Sequence, residues 1–315
     1  MSVKVYIDGR EGTTGLKIYE RLGAREDIEL LYIPDEYRKD PVARKEYING
    51  SDITFLCLPD AAAREAVAMA GDKVRIIDAS TAHRVSPGWA YGFPELGARF
   101  RENIASGNRI AVPGCHASGF IALVYPLVKL GFMSPDFSVC ATSLTGYSGG
   151  GKKMIAAYEG ERGTEYDAPR MYGIGQTHKH LPEMRAVCGL DRAPVFVPIV
   201  SDYYSGMEVI LPLDLACLKG VASADELRGI YKEFYAGAGL VKVKDAGAEG
   251  ASGGGFAAAN KLSGRDDMEI YVAGSDERAV AYALFDNLGK GASGAAVQNL
   301  NIMLGLDEKK GLITE

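Results

Sequence analysis

The segment IAVPGCHASGF (110–120) places a cysteine beside a histidine, and both residue types can carry covalent or acid–base chemistry. Cys115 follows an apolar run and a Pro-Gly pair, a pattern that predicts the end of a strand and the start of a helix. A thiol in that position lies near the positive end of a helix dipole, which favours the thiolate form. The pattern therefore predicts a nucleophile at Cys115, whereas a cysteine among apolar residues is otherwise usually buried packing, as we expect for Cys57, Cys140 and Cys217.

A cysteine nucleophile needs a proton shuttle, and the chain has four histidines to supply one. His116 is adjacent, but neighbouring side chains diverge by roughly 100 to 180° on a helix or strand, so adjacency seldom gives hydrogen-bond geometry. In GIGQTHKHLPEM, His178 and His180 would lie on one side of an extended segment and face one cleft. A His-x-His pair also suits a metal ion, but no further cysteine or aspartate cluster accompanies it, so we predict no metal site.

The glycine-rich turn DGREGTTG follows a strand-like run and precedes a helical one. Gly9, Gly12 and Gly15 allow a tight turn and close approach of a pyrophosphate to the unpaired N–H groups of a helix N-terminus. The spacing is not the commonest dinucleotide motif, and a simple turn is the alternative. Together with the strand–helix pattern that follows, it favours a dinucleotide site.

The residues after the second strand leave the choice of dinucleotide open. Arg38 and Lys39 could bind the 2′-phosphate of NADP, whereas Asp35 or Glu36 could hold the ribose of NAD. A solvated charged loop is the third reading. Of the two dinucleotides, these residues favour NADP.

A third chemical segment is TGYSGGGKKM (145–154), in which a serine and three glycines precede a helix with two lysines. Backbone amides around Ser148 and Gly149 could hold a phosphate or an oxyanion. The alternative is a mobile turn beside a solvated basic pair.

The elements that must position these residues fall into two groups. Up to about Cys115, short β-rich runs alternate with helical segments, which predicts βαβ units and a largely parallel sheet. Beyond it, a buried helix is followed by longer strands with less regular connections, which predicts an α+β domain with a more antiparallel sheet. The tail GASGAAVQNLNIMLGL is too short to form a domain and is expected to pack against the first one.

Composition excludes several classes of protein. The 315 residues carry a net charge of -6 with no long basic run, which argues against a nucleic-acid-coating surface, so the expected partner is a small molecule. No signal peptide or membrane-length apolar run appears. Five widely spaced cysteines without a C-x-x-C pair indicate free thiols, and the expected location is the cytoplasm.

Several motifs together resemble one family, the shorter, second type of N-acetyl-gamma-glutamyl-phosphate reductase. They lie in the family's order from residue 8 to residue 301: DGREGTTG, DASTAHR, YGFPEL, PGC, GYSGGGKKMI, HKHLPEM and GKGASGAAVQNLN. The resemblance implies a Rossmann-type NADP domain over residues 1–114, completed by a C-terminal helix over 291–315. It also implies a catalytic and dimerisation α+β domain over 115–290, of the type shared with aspartate-semialdehyde and glyceraldehyde-phosphate dehydrogenases.

The resemblance further implies reduction of N-acetyl-glutamyl 5-phosphate by NADPH in arginine biosynthesis, by a homodimer or homotetramer. Cys115 takes the place of the nucleophile and His180 that of the acid–base. Substrate-binding and cofactor-binding positions then follow: His178, Arg84, Ser148 and Gly149 for the substrate, and Gly9, Gly12, Thr13, Thr14, Gly15, Arg38, Ser80 and Asn299 for NADP.

Around the nucleophile the chain departs from the family's usual N-P-G-C-Y-P-T, because Val112, His116, Ala117 and Ser118 stand at the changed positions. Exchange of tyrosine for His116 adds a titratable ring beside the thiol, which could alter rate, pH profile or substrate preference. Two alternatives stay open: a reductase of a related acyl phosphate, such as N-acetyl-aminoadipyl or aspartyl phosphate, and a dinucleotide-binding sensor without catalysis.

Overall fold

The structure is a computed structural model that describes residues 2–245 and 247–314. Residues 1 and 315, the outer ends of the predicted dinucleotide domain, lie outside these ranges. The chain divides into two compact units. The first unit comprises the chain up to Pro113 together with Ala292–Leu312, and the second unit comprises Gly114–Gly291 and the residues from Ile313.

The elements alternate in the first half of the chain and become strand-rich in the second. In chain order the strands are β1 (Val3–Asp8), β2 (Ile28–Leu31), β3 (Ile53–Leu56), β4 (Arg75–Asp78), β5 (Ala90–Tyr91), β6 (Arg109–Ala111), β7 (Cys140–Gly146), β8 (Arg170–Met171), β9 (Val195–Ser201), β10 (Met207–Asp214), β11 (Val241–Val243), β12 (Met268–Gly274) and β13 (Arg278–Phe285). The α-helices are α1 (Thr13–Gly23), α2 (Pro41–Gly50), α3 (Asp60–Met69), α4 (Ala98–Ser106), α5 (Cys115–Lys129), α6 (Gly151–Glu159), α7 (Leu181–Cys188), α8 (Ala224–Phe234) and α9 (Gly294–Met303).

The sheet of the first unit is parallel throughout, in the order β2-β1-β3-β4-β6-β5. Its central strands are short apolar runs because helices cover both faces of a parallel sheet. Phe55 and Ile77 lie in one core with residues of α9, including Val297 and Leu300. The predicted parallel sheet and the packing of the tail on the first unit are therefore both observed.

The last helix is shorter than the predicted span of 291–315, because α9 ends at Met303. Gly305 has a φ of 67°, and the amide of Leu306 donates to the carbonyl of Asn301. This left-handed glycine closes a helix with a six-to-one hydrogen bond, and the residues beyond it form turns. The prediction was wrong in extent because a glycine at this position stops the helix.

The sheet of the second unit has the order β11-β12-β13-β10-β7-β9-β8 and is mostly antiparallel, with parallel pairs only between β11 and β12 and between β7 and β9 among the described strands. Helix α5 packs on this sheet, and Tyr231 of α8 donates to the carbonyl of Leu123 in α5. No helix in residues 2–245 or 247–314 has the length and apolar character that a membrane crossing requires.

The five cysteines are free, but not all are buried as predicted. Cys140 and Cys217 are exposed, because the first begins a strand and the second ends a short 3-10 turn. Apolar neighbours in sequence did not identify which face of each element is covered.

Close packing of α5 on the sheet generates a prediction for Gly119. A Cβ at this residue would lie 2.5 Å from Cγ2 of Val209, so Gly119→Ala should lower the free energy of unfolding by about 1–3 kcal/mol. Gly229→Ala in α8 is the matched control: nothing lies within 4 Å of its Cβ position, and the change should stabilise by about 0.5–1 kcal/mol. Urea unfolding of both variants measures this; equal effects would contradict the packing.

Candidate active site

Cys115 is the first residue of α5, directly after the Pro-Gly pair. The residue before the helix, Gly114, has no side chain to cap the first amides, so no N-cap side chain competes for the N-terminal N–H groups of α5. The structure thus places the thiol where the sequence pattern predicts, at a helix N-terminus.

A buried carboxylate holds this helix start in place. The amide of Gly114 donates to Oε2 of Glu183, 3.1 Å away, and Glu183 is only 2% exposed. Glu183 belongs to the first turn of α7, which begins directly after His180. Sequence reasoning included Glu183 in the HKHLPEM motif but gave it no role, because the contact joins residues 69 positions apart.

A cavity of about 220 Å³ in the second unit brings several predicted residues together. Cys115, His178, His180 and Gly149 all line it. The structure adds further residues that sequence reasoning did not place in the site: Thr145, Lys179 and Tyr172. Lys179 lies between the two predicted histidines, so its position in the motif was the available signal for a cation at the site.

The two histidines of HKH are in contact, with ring centroids 4.7 Å apart. The backbone amide of His180 donates to Nδ1 of His178 at 3.2 Å. An Nδ1 that accepts carries no proton, so the ring proton of neutral His178 lies on Nε2. His178 can therefore donate a hydrogen bond from Nε2.

The ring nitrogens of His116 both contact other side chains, which argues against a role as the base of Cys115. The ring is 3% exposed, with Nδ1 2.7 Å from the hydroxyl of Ser143 and Nε2 2.5 Å from the hydroxyl of Tyr172. Burial, reinforced by the nearby His178 and Lys179, lowers the pKa of His116 to about 3. The ring is neutral at pH 7, and both of its nitrogens are engaged.

Two predicted substrate residues have structural partners of their own. Ser148 is fully buried and its hydroxyl accepts from Nδ2 of Asn287, 3.0 Å away, so it supports the glycine turn while Gly149 lines the cavity. Arg84 lies in the first unit, where its Nε donates to the carbonyl of Val112 at 2.9 Å. Its role towards the substrate stays a prediction.

The glycine-rich turn of the first unit forms a tight cradle. Gly9 has a φ of 88°, and a Cβ there would lie 2.4 Å from the carbonyl oxygen of Cys57. A Cβ at Gly15 would lie 2.5 Å from the carbonyl oxygen of Gly9. Gly12 precedes α1 without a side-chain cap, so the amides of the first turn, beginning with Thr13 and Thr14, can bind an anion.

A second cavity, of about 380 Å³, adjoins this turn and lies within the volume range typical of ligand sites. Its lining includes charged residues from the turn and from the loop after β2: Arg10, Glu11, Asp35, Arg38 and Lys39. The guanidinium carbon of Arg10 lies 4.3 Å from the ring centre of Tyr32, and its Nη2 lies 3.7 Å from Asp35. Sequence reasoning missed Arg10, although its place between two of the glycines was a signal.

The remaining predicted cofactor residues lie elsewhere in the first unit. The hydroxyl of Ser80 donates to Asp78 at 2.7 Å and accepts from the amide of Ala82, so it closes the turn after β4 and does not line the second cavity. Asn299 is completely buried and its Nδ2 donates to the carbonyl of Gly92, while its Oδ1 has no hydrogen-bond partner among the described residues. A buried acceptor without a donor fits a carboxamide, such as that of nicotinamide.

The negative charge of Asp8, next to the glycine-rich turn, is neutralised by an ion pair. Oδ2 of Asp8, at the end of β1, lies 2.7 Å from Nη2 of Arg44, and both side chains are buried. Sequence reasoning missed this pair as well. In the ranges that the structure describes, no group of three or more histidine, cysteine or acidic side chains could hold a metal ion.

A parallel sheet with a glycine cradle, followed by a mostly antiparallel sheet, is the two-domain arrangement of a semialdehyde dehydrogenase. Two family models agree: residues 31–106 match the semialdehyde dehydrogenase NAD-binding domain, and residues 115–287 match its dimerisation domain. Among solved structures, aspartate semialdehyde dehydrogenase II from Vibrio cholerae has the same fold, with a TM-score of 0.72, 15% identity and coverage of 97% of this chain and 99% of that one.

The chain belongs to the N-acetyl-gamma-glutamyl-phosphate reductase family. It is 48% identical to the reductase of that name from Chelativorans sp. (strain BNC1) over 96% of this chain and 99% of the relative. It is 44% identical to N-acetyl-gamma-glutamyl-phosphate reductase 2 from Pseudomonas putida over 98% of each chain. The predicted family, fold class and oxidoreductase class are thereby confirmed.

The buried neutral His116 generates a prediction for stability against pH. Its pKa in the folded state is about 3, below the unfolded value of about 6.5, so the unfolded chain binds the extra proton between these values. Its contribution to stability is present above pH 6.5 and is lost as the pH falls. The free energy of unfolding of the wild type, relative to His116→Gln, should fall by ~1.4 kcal/mol per pH unit between pH 6 and 4.

Urea unfolding of both proteins at pH 4, 5 and 6 measures this slope. A constant difference across the series would show that His116 titrates in the folded state as it does in water.

Proposed function

We propose that this protein catalyses the NADPH-dependent reduction of N-acetyl-L-glutamyl 5-phosphate to N-acetyl-L-glutamate 5-semialdehyde, with release of phosphate, in arginine biosynthesis. The observation that carries the proposal is the shared cavity of Cys115, His178 and His180 at the start of α5. Membership of the reductase family supports the choice of substrate.

Cys115 acts as the nucleophile. Its thiolate attacks the acyl carbon of the acyl phosphate, the bond from carbon to the phosphate oxygen breaks, and phosphate leaves with a thioester on the sulfur. The amides at the start of α5 can donate to the oxyanion that forms on the acyl oxygen.

His180 acts as the acid–base. Bound NADPH supplies the hydride that reduces the thioester carbon. His180 donates a proton to the thiohemiacetal oxygen as it forms and takes it back when the carbon–sulfur bond breaks, which leaves the aldehyde and the thiolate. Its place after Lys179 and directly before α7 puts the ring at the wall of the Cys115 cavity.

The remaining wall of the cavity binds the substrate. Lys179 supplies a positive charge and His178 a donor at Nε2, which suits the phosphate or the α-carboxylate. The backbone of Gly149 offers an amide donor on the same wall, and Arg84 is proposed as a further carboxylate or phosphate ligand.

The first unit holds NADPH. The residues present fit the dinucleotide: Gly9 and Gly15 allow a tight turn in which any Cβ would clash with the backbone, the turn leads into the N-terminus of α1, which suits a pyrophosphate, and Asn299 offers a buried acceptor. Arg10 and Arg38 supply positive charge for a 2′-phosphate.

The domain roles follow from these assignments. Residues 1–114 with the C-terminal segment bind NADP, and residues 115–290 carry catalysis and dimerisation, which the match of residues 115–287 to a dimerisation domain supports. We propose a homodimer or homotetramer. The five free cysteines support the cytoplasm as the location.

Phosphate-dependent oxidation of N-acetyl-glutamate semialdehyde, followed by the absorbance of NADPH, tests the function. The semialdehydes of N-acetyl-aminoadipate and aspartate are run in parallel. Equal or faster oxidation of the longer substrate would contradict the glutamyl assignment, and no turnover of any of them would favour a sensor.

Replacement of the nucleophile should separate chemistry from binding. Cys115→Ser should lower kcat by several orders of magnitude and leave NADPH affinity unchanged, because the serine hydroxyl is not ionised at pH 7. Cys140→Ser, at an exposed cysteine of the same unit, is the matched control and should retain full activity. Activity retained by Cys115→Ser would remove Cys115 from the mechanism.

Loss of Arg38 should act on NADPH alone. Arg38→Ala should raise the KM for NADPH about tenfold, because one charge-assisted contact with the 2′-phosphate is lost, and should leave the KM for NADH unchanged. Arg101→Ala, which removes only a surface pair with Glu308, is the control. Equal effects on both cofactors would place Arg38 outside the 2′-phosphate site.

A further inference from the structure

Three side chains form a hydrogen-bonded row beside the nucleophile, and the mechanism above uses none of them. The hydroxyl of Ser143 in β7 lies 2.7 Å from Nδ1 of His116, and Nε2 of His116 lies 2.5 Å from the hydroxyl of Tyr172. Ser143 is completely buried and His116 almost so. Tyr172 ends the row at the wall of the cavity that Cys115 also lines.

The direction of the row decides where the proton of Tyr172 points. Neutral His116 carries one ring proton, so one nitrogen donates and the other accepts. If Nε2 carries it, Ser143 donates to Nδ1, and the oxygen of Tyr172 accepts from Nε2. The hydroxyl proton of Tyr172 is then available to a group in the cavity. In the opposite tautomer, the hydroxyl of Tyr172 donates its hydrogen bond to Nε2 of His116.

Charges at the site keep Tyr172 a donor. Burial raises its pKa, and the negative charge of the Cys115 thiolate raises it further. The hydroxyl therefore stays protonated when Cys115 is ionised, and both side chains line the same cavity of about 220 Å³. A protonated hydroxyl that lines the same cavity as a thiolate can donate a hydrogen bond to it, and the attraction of the negative charge favours the tautomer of His116 that leaves this proton available.

We propose that Tyr172 is a further catalytic residue, whose hydroxyl donates a hydrogen bond to the Cys115 thiolate, and that His116 and Ser143 are positioning residues that orient it. The bond stabilises the attacking thiolate and also the thiolate that leaves when the aldehyde forms. The catalytic consequence rests on the proposed function, whereas the hydrogen bond itself is a property of the protein without substrate.

The first test reads the thiolate directly. The rate of alkylation of Cys115 by iodoacetamide is measured from pH 5 to 10 in a Cys140→Ser, Cys217→Ser background, with the modified peptide identified by mass spectrometry. Tyr172→Phe should move the midpoint of this profile up by about one pH unit, because the thiolate loses a donor. Tyr231→Phe removes another buried hydroxyl bonded to α5 and should leave the midpoint unchanged.

Turnover should change in the same direction. Tyr172→Phe should lower kcat about 10- to 100-fold with little change in KM, since the lost donor acts on the reacting sulfur and not on the bound substrate. The circular dichroism spectrum and NADPH affinity of the folded variant should match those of the wild type.

Two variants of His116 test the positioning role. The amide nitrogen of Gln reaches the place of Nε2, whereas the shorter Asn reaches only that of Nδ1. His116→Gln should therefore keep a donor to Tyr172 and an alkylation midpoint near that of the wild type. His116→Asn should shift the midpoint as Tyr172→Phe does.

The proposal is overturned if folded Tyr172→Phe alkylates with the wild-type profile, or if His116→Gln and His116→Asn shift it equally. A wild-type protein that fails to reduce any acyl phosphate would contradict the proposed function and leave the alkylation result standing, so the two failures are distinguishable.

Discussion

The hydrogen bond from Gly114 to Glu183 is the contact on which the active site depends. It fixes the first turn of α5 and thereby the direction in which the side chain of Cys115 points. The same carboxylate belongs to α7, whose preceding residue is His180, so one buried contact positions both the proposed nucleophile and the proposed acid–base residue. A carboxylate out of water needs such partners, and the energy of burying it is offset only when its donors are in place.

Buried polar groups elsewhere in the second unit obey the same constraint. The amide of Asn287 donates to the hydroxyl of Ser148 beneath the glycine turn, and its Oδ1 accepts from the amide of Gly206. His116 likewise uses both ring nitrogens. Hydrogen bonds between such buried groups cost little free energy once the fold is formed. They hold the side chains of the site within the small positional tolerance that acyl transfer requires.

Local patterns in the sequence were sufficient for the elements and for part of the site. Alternating apolar runs and helices predicted the parallel sheet, and the Pro-Gly pair before Cys115 predicted a helix start, because both depend on neighbours in the chain. The contacts of Glu183 and Tyr172 were beyond reach, since they join residues 69 and 56 positions apart. The exposure of Cys140 and Cys217 and the end of α9 at Met303 were mispredicted for a related reason. Composition does not show which face of an element is covered or which glycine adopts a left-handed conformation.

His116 illustrates how far local reasoning extends. Divergence of adjacent side chains predicted that it is not the base of Cys115, and the structure engages both of its nitrogens with other groups. Its partners could be found only in the fold, where His116 connects Ser143 of β7 to Tyr172 at the wall of the cavity.

The central claim is that Cys115 carries the acyl group as a thioester, and a single turnover without NADPH tests it most directly. Wild-type protein mixed with N-acetyl-glutamyl phosphate should release one phosphate per site and gain one N-acetyl-glutamyl group on Cys115, seen by intact-protein and peptide mass spectrometry and removed by hydroxylamine. Phosphate release without a group on Cys115, or the same adduct on Cys115→Ser, would contradict the account.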